Sequence, residues 1–449
     1  MVPPKPPARA ERVSLFQYMR LFRRDILSAQ PARLYRAKMA EFRTPFFRSY
    51  LINEPGLWKL VLNERPDDFP KSNRVRAGLE PLLGNSVFVT NGETWKRQRR
   101  IIDPAFEGGR LRDTFPAMVA AGQAAVARMG AGRVEVEAAM SHAAADVIFR
   151  TLFSLPIEDA TAAAVFRAFR EHQGTQPLLN LAAFLPLPRW FPRLHRRKTL
   201  RTARHIRALI TAMTERRAAE IAAGTAPDDL ATKIMTTADP LTGAHFATDE
   251  MVDQVAIFFL AGHETSASAL AWTLYLVALD RPLQERLAEE ATRELGEHPD
   301  FGAVSRLKLA RDVFREALRL YPPVPMMVRQ NTAPECFRNR AVAPGAQIVI
   351  SPWHLGRHER IWDQPDAFCP ARWQSAEGRA AAREGFIPFS SGPRVCTGAG
   401  FAMVEGVLLL AMLVRRFRFR PVEGQVPEPV AHLTVRARHG IWLDVSERG

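Results

Sequence analysis

The chain has 449 residues, 47% of them apolar, with 62 Lys and Arg against 47 Asp and Glu, a net charge of +15. Three scattered cysteines, Cys336, Cys369 and Cys396, exclude a disulfide framework and a four-ligand zinc site, and no apolar run is long enough to span a bilayer. The basic balance suits an anionic lipid, an acidic protein or a polyanion. No nucleic-acid-binding signature accompanies it, however, and the arginines are spread through amphipathic segments, so nucleic acid is not expected as a partner.

The chain opens on MVPPKPPARAERV, Pro-rich over 1–10 and without an apolar signal-peptide core. A soluble cytoplasmic protein is the expectation. Helical periodicity then runs through 56–64, 92–103, 110–129, 139–154, 159–172, 195–223, 249–279, 283–296, 306–320 and 400–416. Strand-like stretches are short: FFRSYLI at 46–52, AQIVISP at 346–352, and LTVRA and IWLDV near the end. Strands gathered toward the two ends of the chain, with helices between, predict a mostly α (α+β) fold in one large domain rather than an alternating parallel sheet.

Four stretches carry chemistry. WKRQRR, 95–100, places Trp95 and Arg99 four apart on one helix face, where indole N–H and guanidinium can both donate to carboxylates. Lys96, Arg97 and Arg100 read equally well as a solvated basic face. AGHETS, 261–266, sits inside a long helical stretch. There Ala261 and Gly262 remove bulk from one turn, and the Thr265 hydroxyl can bond back to a carbonyl one turn earlier. Glu264 supplies an ionisable carboxyl beside it. His263 and Glu264 lack the spacing of a zinc hydrolase, and His263 reads as a bystander.

REALRL, 315–320, sets Glu316 and Arg319 one turn apart, and PDAFCPARW, 365–373, offers Arg372 as a third member. The last stretch, FIPFSSGPRVCTGAGFAMVEG at 386–406, holds Cys396 on a loop with Phe389, Gly392, Arg394 and Gly398, just before a helix. Cys396 could be a small apolar filler. It could equally be a thiolate favoured by the helix N-terminus, with Arg394 holding an anionic group of a flat ligand.

The Cys396 loop resembles the haem-binding signature of the cytochrome P450 family, in which a cysteine thiolate is the axial iron ligand. The other stretches follow in the family's order. AGHETS resembles the oxygen-activation segment, in which Thr265 and Glu264 would manage protons. Glu316, Arg319 and Arg372 resemble its buried structural triad. Trp95, Arg99, Arg394 and Arg329 resemble propionate-binding residues, with Phe389, Gly398 and Ala261 against the haem. The resemblance covers 41–449 and is weakest over 1–40.

It implies haem b with Cys396 on iron, and insertion of one atom of O2 into a substrate. Electrons would come from NAD(P)H through an external reductase and an acidic ferredoxin or flavodoxin docking on Lys96, Arg97 and Arg100. A peroxide-driven hydroxylase and a haem-thiolate sensor are the alternatives. By analogy the pocket takes Val87, Phe88, Phe258, Phe259, Val324, Met326, Met327, Leu433 and Thr434, an apolar lining that suits a fatty acid, terpenoid, carotenoid or steroid. Arg48 and Tyr50 are candidate anchors for a carboxylate at the channel mouth. The stretch 181–198, rich in aromatics and arginine, is expected to touch membrane lipid while substrate loads.

Overall fold

The computed structural model describes residues 1–43, 48–175, 195–431 and 433–448. Its helices, in chain order and named where the site needs them, are α1 (Leu15–Arg24), α2 (Asn73–Leu83), α3 (Gly92–Ile102), α4 (Val136–Phe153), α5 (Ala160–Gln173), α6 (Arg197–Ala222), α7 (Thr248–Ala278), α8 (Lys308–Leu320) and α9 (Ala399–Arg416). α7 is apolar nearly all round and buried along most of its 31 residues, which makes it the axis of the molecule. α4 packs along one side of it. At Gly262 a Cβ would fall 2.4 Å from Ile148 Cδ1, so that crossing is close because the residue is glycine.

One sheet takes β1 (Met39–Arg43), β2 (Arg48–Ile52), β3 (Met327–Gln330) and β4 (Gln347–Ile350) in the order β1-β2-β4-β3. β2 and β4 run parallel, with Tyr50 opposite Ile348, and the other two pairings are antiparallel. A small hairpin, β5 (Pro429–Ala431) with β6 (Val435–Ala437), folds back toward α7. Ser268 Oγ donates to the Val435 carbonyl and ties it there.

The mostly helical fold and the long helices stand where periodicity put them. The sequence reading missed α1 and α2. α2 carries Gly78 and Pro81, residues that signal helix breaks but here fall where the helix tolerates them. Residues before α1 are tied to the body: Phe368 N–H donates to the Met1 carbonyl (2.9 Å) and Tyr321 Oη to the Pro4 carbonyl (2.5 Å). Among the described residues no helix is long and apolar enough to cross a membrane. Tyr50 is no channel anchor. It is buried in the sheet, with its hydroxyl donating to the Ala341 carbonyl at 3.3 Å, because period-two alternation turns it to the core.

Candidate active site

The loop before α9 is built by backbone constraints. Ser390 and Gly392 both have positive φ (65° and 70°), and a Cβ on Gly392 would lie 2.0 Å from the Leu62 carbonyl oxygen. The turn therefore presses directly on the segment Leu60–Glu64. Val395 N–H donates to Gly392 O and Cys396 N–H to Phe389 O, both at 2.9 Å, which fixes Cys396 at the end of a closed turn. Its thiol faces a cavity of about 2050 Å³. Burial pushes that thiol above its ordinary range, against the pull of the Gly398 N–H and of Arg99 and Lys71.

Four cations stand at this end of the cavity. Arg394 is bonded to the Thr90 carbonyl (3.1 Å) and Asn91 Oδ1 (2.8 Å), with its guanidinium 4.1 Å from the centre of the Trp95 ring. Arg99 reaches the Val395 carbonyl (2.8 Å) and pairs with Asp103. Arg329, 4% exposed, is held at about 10 by burial, and so is Arg394, with Arg329 as a second cause.

The fourth cation, Lys71, was not singled out from the sequence. Its Nζ donates to the Phe88 carbonyl at 2.6 Å and lies 3.8 Å from that ring's centre. Burial first, then Arg329 and Arg394, drive it well below the usual lysine range. A lone lysine in FPKSN carries no pattern, so only the fold reveals it.

Among the described residues none of Lys71, Arg329 and Arg394 makes an ion pair, and no group of three or more His, Cys, Asp or Glu converges on a metal position. A lone thiol cannot hold a metal by itself, so a metal bound here would bring its own ligands. Clustered cations, one buried and three half-buried, call for anions. Gly398, where an added Cβ would meet nothing within 4 Å, leaves width beside the sulfur. The residues fit haem: Cys396 would hold the iron, and Lys71, Arg99, Arg329 and Arg394 with Trp95 the two propionates.

Across the cavity, Thr265 Oγ1 donates to the Ala261 carbonyl at 2.6 Å, the back-bond its mid-helix position invites. Glu264 is held from three sides. Its Oε1 accepts from Thr434 Oγ1 (2.7 Å) and Arg436 Nη2 (3.1 Å), and its Oε2 from Gln173 Nε2 (3.2 Å). Arg436 also lies 3.8 Å from Glu137 Oε1. Burial raises Glu137 to about 7, although Arg436 opposes the shift. His263 stays apart, bonded to Ser141 Oγ (2.8 Å), and burial depresses it to about 3.

Val87, Phe88, Phe258, Ala261, Val324, Met326, Met327, Phe389 and Leu433 line the cavity. Two of the expected lining residues do not. Phe259 turns to the other side of α7 and packs on Phe149 and Phe169, because successive helix residues point about 100° apart. Thr434 is buried behind the wall and spends its hydroxyl on Glu264. A further lining residue, Glu405 on α9, accepts from Ser266 Oγ (2.6 Å) while its Oε1 is buried without a partner, and burial raises it to about 8. One acid within the apolar run AMVEGVLLL was its signal.

Glu316 is fully enclosed. Arg319 grips both of its oxygens (2.7 and 3.0 Å), and Arg372 Nε and Trp373 Nε1 complete the shell at 2.9 and 3.1 Å. Cys369 donates its N–H to Glu316, with its side chain away from the cavity. Lys96, Arg97 and Arg100 are each held by a carboxylate, Asp67, Glu250 and Asp239 respectively. That makes them a weaker footing for an acidic partner than the sequence suggests. Of the expected membrane-touching stretch, 181–194 lies outside the described residues.

The family model described as Cytochrome P450 matches residues 15–441. The chain is 32% identical to cyclooctat-9-en-7-ol 5-monooxygenase of Streptomyces melanosporofaciens over 415 residues, 90% of this chain and 87% of that protein. It is 31% identical to cyclooctatin synthase of the same organism over 401 residues, 86% of this chain and 84% of the relative. The plant 11-oxo-beta-amyrin 30-oxidase of Glycyrrhiza uralensis is 29% identical over 417 residues, 87% and 77% of the two chains.

Proposed function

This chain belongs to the cytochrome P450 family of monooxygenases, and from that premise we propose that it hydroxylates an apolar, terpenoid-like molecule, with electrons supplied by a separate ferredoxin or flavodoxin. One observation carries the reading. The Cys396 thiol and the Thr265–Glu264 turn open onto the same apolar cavity, with cations clustered at the thiol's end. When bound, thiolate-ligated haem supplies the splitting of O2 and the oxidation of carbon.

The chain's own residues do the rest. Lys71, Arg99, Arg329 and Arg394 neutralise and orient the carboxylates of the cofactor. Phe88, Phe258, Val324 and Met326 hold substrate and exclude water. Thr265 and Glu264 hold the protons that the reaction consumes, and this acid–hydroxyl pair favours O2 with reductant over peroxide. Relatives named for oxidising cyclooctat-9-en-7-ol and 11-oxo-beta-amyrin support a terpenoid within the apolar class.

The test has two arms. The reduced, CO-bound protein should show the red-shifted band of a thiolate haem, lost in Cys396→Ser. Diterpene and triterpene alcohols should then be hydroxylated with NAD(P)H, reductase and ferredoxin, and far more slowly with hydrogen peroxide alone. Absence of the band, or turnover by peroxide only, overturns the reading.

A further inference from the structure

Glu264 does not have its arginine to itself. Arg436 Nη2 lies 3.1 Å from Glu264 Oε1, and Nε of the same guanidinium lies 3.8 Å from Glu137 Oε1. Among the described residues neither carboxylate has another cation. By contrast Glu41, on the same cavity, pairs with Arg43 at 2.8 Å, one carboxylate to one arginine. Glu264 comes from the middle of α7 and Glu137 from the first turn of α4, so acids of two helices converge on one side chain of β6. The cluster carries a surplus negative charge, and the side chains of Glu264, Glu137 and Arg436 are only 8%, 14% and 35% exposed. One proton relieves such a charge. The geometry says which acid keeps it. Arg436 stands nearer to Glu264, which also accepts from Thr434 and Gln173, so Glu264 is the ionised member. Glu137 has the Ala437 N–H at 3.3 Å and the more distant nitrogen of Arg436, and it faces the like charges of Glu264 from α7 and Glu135 beside it. Burial, and after it those two acids, hold its proton up to about 7 against the pull of Arg436.

We propose that Glu137 stores the proton that reloads Glu264, and that Arg436 decides, by the carboxylate it sides with, which of the two is protonated. The inference rests on the proposed monooxygenation, in which each O2 takes two electrons from the reductant and two protons. One oxygen atom then enters the substrate and the other leaves as water. When Arg436 moves from Glu264 toward Glu137, the proton leaves the Glu137 carboxyl and bonds to Glu264. It passes through water beside Arg436, whose own protons all stay in place. Glu264, neutral and freed of the cation, then stands beside Thr265 as a proton donor. Glu137, the more exposed of the two acids, refills from solvent. It does not line the cavity, so it is a positioning residue that acts only through Arg436 and Glu264.

Infrared titration of the haem-loaded protein reads the stored proton without turnover. The difference between the parent protein and E137Q should show a protonated-carboxyl band that disappears as pH rises through about 7. On an E264Q background, Arg436 is left to Glu137 and a like charge is gone, so the same band should titrate about one to three pH units lower. Turnover supplies the second arm. A glutamine at 137 still accepts the Ala437 N–H, so E137Q spares the local fold. Product formed per NAD(P)H should fall roughly tenfold, below the 10²–10⁴ of an acid that touches the reacting group, and its decline above pH 7 should vanish. Hydrogen peroxide brings its own protons, so the slow peroxide-driven rate should stay unmoved. A band that E264Q leaves in place overturns the proposal, and so does equal loss in the reductant-driven and peroxide-driven arms, which would make Glu137 structural. Absence of product in the parent protein sinks the proposed oxidation and this inference with it, whereas normal product that E137Q leaves unchanged sinks this inference alone.

Discussion

Two carboxylates in this protein, Glu316 and Glu264, are each held by arginine and by other donors, and they differ in what lies on their open side. Around Glu316 there is none. Arg319 comes from the same helix, and the segment 356–373 wraps the pair with the Gly356, Pro365 and Ala367 carbonyls, the Cys369 N–H, Arg372 and Trp373. Even Gly356 is forced, since a Cβ there would sit 2.3 Å from the Arg319 carbonyl oxygen. Glu264 instead borders the cavity, and its donors come from α5 and from the β5–β6 hairpin. Its arginine is shared with Glu137. A closed cluster can only hold the fold. An open one holds an acid that can change partners, and that is the property proton delivery needs.

The comparison breaks first at Glu316. Glu316→Ala leaves Arg319 buried and uncompensated, a loss of about 3–5 kcal/mol, a large fraction of a typical folding free energy of about 5–15 kcal/mol. Thermal melts and haem content should both collapse. Unchanged haem content would show that the cluster is not structural.

A third buried acid sharpens the contrast, because Glu405 has a serine and no arginine. Its folded carboxyl keeps its proton up to about 8, while the unfolded one loses it near 4.5. Between those values the folded state binds the extra proton, so stability falls as pH rises, by about 1.4 kcal/mol per pH unit. In denaturant unfolding between pH 6 and 7.5 the protein should lose roughly 2 kcal/mol more stability than its Glu405→Gln variant, since Glu137 and the buried histidines titrate alike in both. Glu405→Gln, which cannot ionise, should lose that dependence. A variant that keeps the full slope would place the titration elsewhere.

Arg436→Gln acts on the open cluster. It leaves Glu264 with only Thr434 and Gln173, and it removes the cation that restrains Glu137, whose pKa of about 7 should then rise further. Product formed per NAD(P)H should fall about tenfold to a hundredfold, the equivalent of one charge-assisted hydrogen bond of about 1.5–3 kcal/mol, and the pH profile should shift. A lowered melting temperature with an unmoved pH profile would mean that Arg436 is structural only.

How much of this was legible in the sequence follows from how far apart the partners lie. Glu316 and Arg319 are three residues apart, and the Cys396 loop is one contiguous turn, so local spacing displays both. Glu264 showed itself as an acid beside Thr265, but its donors lie 91, 170 and 172 positions away at Gln173, Thr434 and Arg436, where no local pattern points. Lys71 was hidden for the same reason. Phe259 was misread because an apolar residue next to a lining residue on a helix looks the same in sequence whichever way it faces.

The smallest expected effect settles what Thr434 does. Thr434→Val keeps the side chain's shape and deletes its 2.7 Å bond to Glu264, leaving Arg436 and Gln173 in place. About 0.5–1.5 kcal/mol is at stake, so product yield per NAD(P)H should fall by less than about tenfold. Because Thr434 stands behind the cavity wall, the substrate Kd should not move, whereas Leu433→Ala, on the wall itself, should weaken substrate binding and leave the yield per NAD(P)H of bound substrate nearly intact. If Thr434→Val instead changes Kd and spares yield, the residue touches substrate after all. Glu264 would then be oriented by Arg436 and Gln173 without the hydroxyl, and the open cluster would reduce to one ion pair and one amide.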